Sequence, residues 1–236
     1  MTSLSDNLHN VQTRIATACV ACGRRPDSVK LLAVSKTFSA EDVRVVATCG
    51  QRDFGENYIQ EGVDKIVALR ADPHIPPLVW HCSGPIQSNK TKLVAEHFDW
   101  AHTVNRLKIA QRLNDQRPVH LPPLQVCLQV NIDGGGTKSG VAPADVLALA
   151  LDVAKLPRLS LRGLMTIPDP ADGFEAQVAV HNKARALFEE MKAVLNLPQF
   201  DTLSMGMTGD LDAAIHAGST MVRVGTAIFG GRIYAG

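Results

Sequence analysis

The chain has 236 residues, a formal net charge of +1, 45% hydrophobic residues and 5% aromatics. That balance suits one α/β domain with a substantial core and gives no reason to expect nucleic acid or an anionic membrane as partner. No apolar run reaches membrane-spanning length, no export signal is visible, and five scattered cysteines fit reduced thiols, so a cytoplasmic protein is expected.

Residues 3–22 open the chain as an amphipathic helix. Leu4, Leu8, Val11, Ile15 and Ala18 follow alternating steps of four and three, and Gly23 supplies a stop. The helix precedes the first strand, so it should pack outside the body or across one end. Cys19 and Cys22 have the spacing of metal and redox pairs. No second pair exists and this one does not follow a strand, so neither role is expected.

Residues 30–36 read as a buried strand ending on a lysine, with Leu32, Val34 and Lys36 on one face. A lysine in a core-facing row is paired, or has a task, or snorkels past the strand end into water. An amine stripped of water sheds its proton more readily and becomes a nucleophile for an aldehyde.

From there strand and helix alternate. A helix over 39–49 has Ser39 and Asp42 spaced as a capping box and Gly50 as its stop. A short strand at 52–54 leads into a helix to about residue 70, strand three covers 78–82, and its helix covers 88–97. Strand four is 100–104 with a helix at 106–115, and strand five is 124–131 with a helix at 143–155 begun by Pro143. Strand six spans 160–167 and its helix 173–195. Strand seven is 202–205 with a helix at 210–217, and strand eight is 221–224. Eight strands separated by crossover-length helices predict a single (β/α)8 TIM barrel over residues 1–236, with an extra N-terminal helix. A doubly wound open sheet is the alternative, but neither nucleotide-binding glycine fingerprint is present.

In such a barrel the functional groups sit where strands end. Those ends carry Lys36, Asn57, His81, Ser204, Thr208, Arg223, Gly225 and Thr226. Hydroxyls and glycines after strands seven and eight suit a phosphate. Arg223 is a donor that keeps its proton. A lysine at strand one, a phosphate cradle and an arginine between them describe a pyridoxal-phosphate site or a lysine-dependent aldolase equally well. His81 could stack on a ring or be an ordinary hydrogen-bonded residue, and Trp80 and Trp100 are expected in the core. The glycine loop 133–140 could be a lid over an anion or a solvated turn.

Several stretches together carry a resemblance. Ala33-Val34-Ser35-Lys36-Thr37, Phe54-Gly55-Glu56-Asn57-Tyr58, His81 with Gly84-Pro85-Ile86-Gln87-Ser88-Asn89-Lys90, Lys138-Ser139-Gly140, Leu203-Ser204-Met205-Gly206-Met207 and Val222-Arg223-Val224-Gly225-Thr226 lie in one register. In these the chain resembles the pyridoxal-phosphate homeostasis protein family, also called the proline-synthase co-transcribed homologues. The resemblance implies a barrel like the N-terminal domain of alanine racemase, with pyridoxal 5'-phosphate bound covalently. Lys36 would form the internal aldimine. Ser204, Gly225 and Thr226 would hold the phosphate with Thr208 nearby, Arg223 would face the pyridine nitrogen, and Asn57 and His81 would line the ring pocket. No metal is implied.

The chain departs from that pattern at Phe38, where many relatives carry a second lysine, at Thr208 in place of serine, and at Cys82-Ser83, smaller than the usual apolar pair. The implied role is a carrier and buffer of the cofactor with little or no catalysis, acting as a monomer and serving apoenzymes that require it. An amino-acid racemase is the alternative. It needs a second base on the opposite face, and Tyr58 and Tyr234 are the only tyrosines to supply one.

Overall fold

The computed structural model of the chain describes residues 3–134 and 139–231. Lys138 and Tyr234, both weighed above, lie outside the described residues. Eight parallel strands close into a barrel in chain order: β1 (Lys30–Val34), β2 (Asp53–Glu56), β3 (Val79–Cys82), β4 (Trp100–Val104), β5 (Leu124–Val130), β6 (Leu159–Thr166), β7 (Thr202–Ser204) and β8 (Met221–Val224). β8 pairs back onto β1 with Arg223 beside Leu32, which seals the last gap. The crossovers are α2 (Ala40–Thr48), α3 (Ile59–Arg70), α4 (Thr91–His97), α5 (Leu107–Gln116), α6 (Val146–Val153), α7 (Phe174–Leu195) and α8 (Leu211–His216). The expected barrel is the observed one.

Alternation along each strand sorts side chains into two layers. Leu31 and Ala33 join Val43, Val46 and Phe54 in the core between sheet and helices. Leu32 points the other way, into the barrel, where Trp100, Cys127 and Met165 pack with Val79. The guanidinium of Arg162 lies 4.8 Å from the centre of the Trp100 ring and covers it. The interior is filled with side chains; it is not a pore.

α1 (Leu4–Ala21) begins with the capping box of Ser3 and Asp6 and buries Leu8, Val11, Ile15 and Cys19. It lies on the outside of the barrel against α2, α8 and the short α9 (Thr226–Phe229). Each fully buried aliphatic side chain in that row stabilises the docked helix by about 1.5–3 kcal/mol. Arg14 then reaches from α1 to Asp212 on α8 and donates to the Thr208 carbonyl at 2.8 Å. An outer helix thus holds a loop at the barrel mouth.

Three details differ from the expectation. β1 stops at Val34, so Lys36 sits on the loop beyond it. The helix at 143–155 starts as a tighter turn at Pro143–Asp145, where proline is tolerated because a first-turn N–H has no helical partner to lose. The four-residue α9 was not foreseen, being too short to show a helical period. Among the described residues no helix is long and apolar enough to cross a membrane.

Candidate functional site

A cavity of about 440 Å3 opens at the end of the barrel where the strands finish. Lys36, Asn57, Thr208, Arg223, Gly225 and Thr226 line it, six of the eight residues singled out above. Val34, Ser83, Ile167, Met207 and Gly209 complete the described wall. An adjoining chamber of about 510 Å3 shares Asn57, Ser83, Ile167 and Met207 with it.

Lys36 is half-buried, and its two neighbours are clamped from behind the sheet. Lys65 on α3 donates through Nζ to the Ser35 carbonyl at 2.8 Å, to Glu56 Oε1 at 2.8 Å and to Glu61 Oε1 at 2.6 Å. The Ser35 hydroxyl donates to Glu56 Oε1 at 2.6 Å, and the Thr37 N–H donates to Glu61 Oε1 at 2.6 Å. Thr37 has φ of 69°, a left-handed conformation that a β-branched residue adopts only under constraint. The Glu61 bond supplies that constraint. Burial raises the pKa of the Glu56 carboxyl, against the pull of Lys65 and Ser35. A lysine that must meet a ligand at one angle gains from a backbone fixed on both sides. Glu56 stands in the sequence motif, but nothing in the sequence assigns it to Lys65; Glu61 is spaced one helical turn from Lys65, the one signal that could have paired them.

Asn57 is oriented by Ser83, whose hydroxyl donates to its Oδ1 at 3.0 Å. That bond makes Oδ1 the acceptor and sends the amide NH2 the other way. Gly84 lets the β3 loop close here, since a Cβ at that position would collide with the Asn57 carbonyl.

The far wall is made by the loops after β7 and β8. Asp210 accepts the Met207 N–H at 2.6 Å and pairs with His181 Nε2 at 2.9 Å, which shapes the turn carrying Thr208 and Gly209. Gly225 lies so close to β1 that a Cβ would approach the Val34 carbonyl to 3.1 Å. Between this wall and Lys36 sits Arg223, 5% exposed. It donates through Nη1 to the Ser204 carbonyl and hydroxyl at 2.8 and 2.9 Å, and through Nη2 to the Thr166 carbonyl at 2.8 Å. Burial lowers its pKa to about 10, so it remains a cation at neutral pH.

The remaining two expected residues lie elsewhere. His81 does not line the cavity. β3 continues past it to Cys82, so the ring is fully buried inside the barrel, stacked on Trp100 at 5.2 Å. Its Nε2 meets Asp53 Oδ1 at 3.0 Å and its Nδ1 meets His102 Nε2 at 2.8 Å. Ser204, expected at a phosphate, is the last residue of β7 and is fully buried beneath Arg223. Its hydroxyl is taken by Arg223 and by His102 Nδ1 at 3.3 Å. Sequence reasoning missed His102 and Asp53, whose alternation places them in the barrel but whose partners come from other strands.

The profile of the alanine racemase N-terminal domain family matches residues 6–233. The pyridoxal phosphate homeostasis protein of Pseudomonas aeruginosa is 55% identical over 99% of this chain and 98% of its own. That of Escherichia coli K12 is 52% identical over 100% and 99%. The structure of PipY from Synechococcus elongatus with PLP bound superposes with a TM-score of 0.78 at 36% identity, covering 92% of this chain and all of the other. Family profile, full-length identity and superposition agree: the chain belongs to the alanine racemase N-terminal domain family and, within it, to the pyridoxal phosphate homeostasis proteins.

Proposed function

We propose that this protein binds pyridoxal 5'-phosphate through a covalent imine at Lys36 and serves as its carrier and buffer, with little or no catalysis. The observation that carries the reading is the pairing of Lys36 and Arg223 as the titratable side chains on the described wall of one cavity. The donors around them suit the ligand. Thr208, Gly209, Gly225 and Thr226 offer hydroxyls and open backbone to a phosphate, and no carboxylate stands among the described lining residues to repel it. When bound, the group supplies an aldehyde and an aromatic ring that can delocalise negative charge. Lys36 would hold the group through its amine at the aldehyde carbon, with the aldehyde oxygen lost as water.

The same wall supports storage over turnover. Arg223 can only donate, so a ring nitrogen facing it stays unprotonated and the ring is a poor electron sink. Racemisation requires a proton-exchanging group on each face of the substrate carbon, and Lys36 supplies one. We assign delivery to apoenzymes that require the cofactor, by a monomer in the cytoplasm. The test mixes loaded protein with such an apoenzyme and, separately, with L-alanine or L-serine. Restored apoenzyme activity with no D-isomer on chiral chromatography is expected. Rapid appearance of the D-isomer would make the protein a racemase.

A further inference from the structure

Beneath Arg223 a single line of hydrogen bonds runs through the barrel to its opposite rim. Ser204 Oγ accepts from Arg223 and lies 3.3 Å from His102 Nδ1. His102 Nε2 lies 2.8 Å from His81 Nδ1, and His81 Nε2 lies 3.0 Å from Asp53 Oδ1. Asp53 also meets Lys30 Nζ at 3.0 Å, at the rim where the Lys30 side chain is 48% exposed. His81, His102 and Ser204 are each 0% exposed.

The Asp53 end fixes the direction of every bond up to Ser204, whose oxygen has lone pairs left for Arg223. A carboxylate only accepts and a guanidinium only donates. Burial holds both imidazoles below the ordinary imidazole pKa, His102 well below it, so each ring is neutral with one N–H and one lone pair. Asp53 therefore requires the proton of His81 on Nε2. That leaves His81 Nδ1 as acceptor, so His102 carries its proton on Nε2. His102 Nδ1 then accepts from the Ser204 hydroxyl, and the Ser204 oxygen accepts from Arg223. One set of tautomers satisfies the whole line.

We propose that Asp53, His81, His102 and Ser204 are positioning residues for the cofactor, a directional relay by which the carboxylate at the rim commits the Ser204 hydrogen to His102 and keeps the Ser204 lone pairs for the Arg223 guanidinium, which two backbone carbonyls also hold. The proposal rests on the reading that Arg223 meets the ring nitrogen. Around the two histidines the charged groups are Lys30 on β1, Asp53 on β2, Asp99 before β4, Arg162 on β6 and Arg223 on β8. Asp53 alone among these bonds directly to either ring. Removing its charge while keeping its shape gives the relay no fixed direction, because an amide can donate or accept at the same place.

The experiment is nitrogen-15 spectroscopy of the imidazoles in the cofactor-free protein, with the absorption maximum of the loaded protein as a second readout. In the natural protein both rings should appear as single neutral Nε2–H tautomers, an observation that needs no variant to fold. In Asp53→Asn, His102 should become a mixture of tautomers although it does not touch residue 53, and the absorption maximum should move. Val79→Ala, which trims the side chain beside Asp53 without removing any hydrogen bond of the relay, should change neither. An Nδ1–H proton on His102, or a His102 signal indifferent to Asp53→Asn, would overturn the relay. An absorption maximum unmoved by Asp53→Asn would overturn its control of Arg223. Absence of any visible band in the natural protein would instead count against cofactor binding itself and leave the tautomer result standing.

Discussion

Two buried polar networks approach the cavity from opposite sides of the sheet. Outside the barrel, Lys65, Glu56 and Glu61 form a charged cluster that grips the backbone on both sides of Lys36. Inside it, Asp53, His81, His102 and Ser204 form a mostly neutral line that ends on Arg223. The charged cluster acts on the chain's conformation, as the left-handed Thr37 attests. The neutral line acts on proton positions. Lys36 and Arg223 are thus held by different means, and on the proposed reading each means suits its task. An amine needs a fixed point of attachment, whereas a donor needs a fixed direction.

The largest expected effect comes from breaking the charged cluster. Lys65→Met leaves Glu56 buried without its cation and should cost about 3–5 kcal/mol of stability in urea unfolding. Adding Glu56→Leu should recover part of that loss, because the stranded charge goes with it. If Lys65→Met proved neutral, the cluster would not be what holds the Lys36 loop.

The two networks also answer pH with opposite sign. Burial raises Glu56 above its ordinary 4.5, so its contribution to stability is complete below that value and is lost as pH rises through the raised pKa. Burial lowers His81 and His102 below the ordinary 6.5, so their contribution is complete above it and is lost as pH falls toward the lowered values. Each depressed histidine should add up to about 1.4 kcal/mol per pH unit to the acid side of the stability profile. His102→Phe should flatten that side by about one proton's slope, measured by urea unfolding between about pH 7.5 and about pH 5.5. An unchanged slope would mean that the ring is protonated in the fold.

At the ligand end the effects are smaller. Thr208→Ala removes one hydroxyl from the wall proposed for the phosphate and should weaken cofactor binding by about 5- to 10-fold, roughly 1 kcal/mol, read by fluorescence titration. Ser204→Ala leaves that wall intact and should alter the absorption maximum more than the affinity. A larger affinity loss at Ser204 than at Thr208 would return Ser204 to the phosphate, against its place beneath Arg223.

How far the sequence carried the account follows from the range of each signal. The barrel was legible because alternation within strands and capping at Ser39 are local. Lys36, Asn57, Thr208, Arg223, Gly225 and Thr226 were legible because they sit in motifs at strand ends, which the fold brings together at one mouth. His81 and Ser204 were read one layer too high: a motif gives a residue's neighbours in sequence but not its depth along a strand. Glu61 and Lys65 stand one helical turn apart, a local spacing, but the other Lys65 and His102 contacts join residues 9 to 102 apart, and no local pattern encodes such a partner.

The most direct test of the central claim is borohydride reduction of the protein loaded with pyridoxal phosphate, followed by a peptide map, with Lys36→Ala alongside. The account predicts a visible band in the natural protein, its loss on reduction, one modified peptide carrying the group on Lys36, and no such band in Lys36→Ala. A band that survives Lys36→Ala, or a label fixed on another lysine, would contradict it.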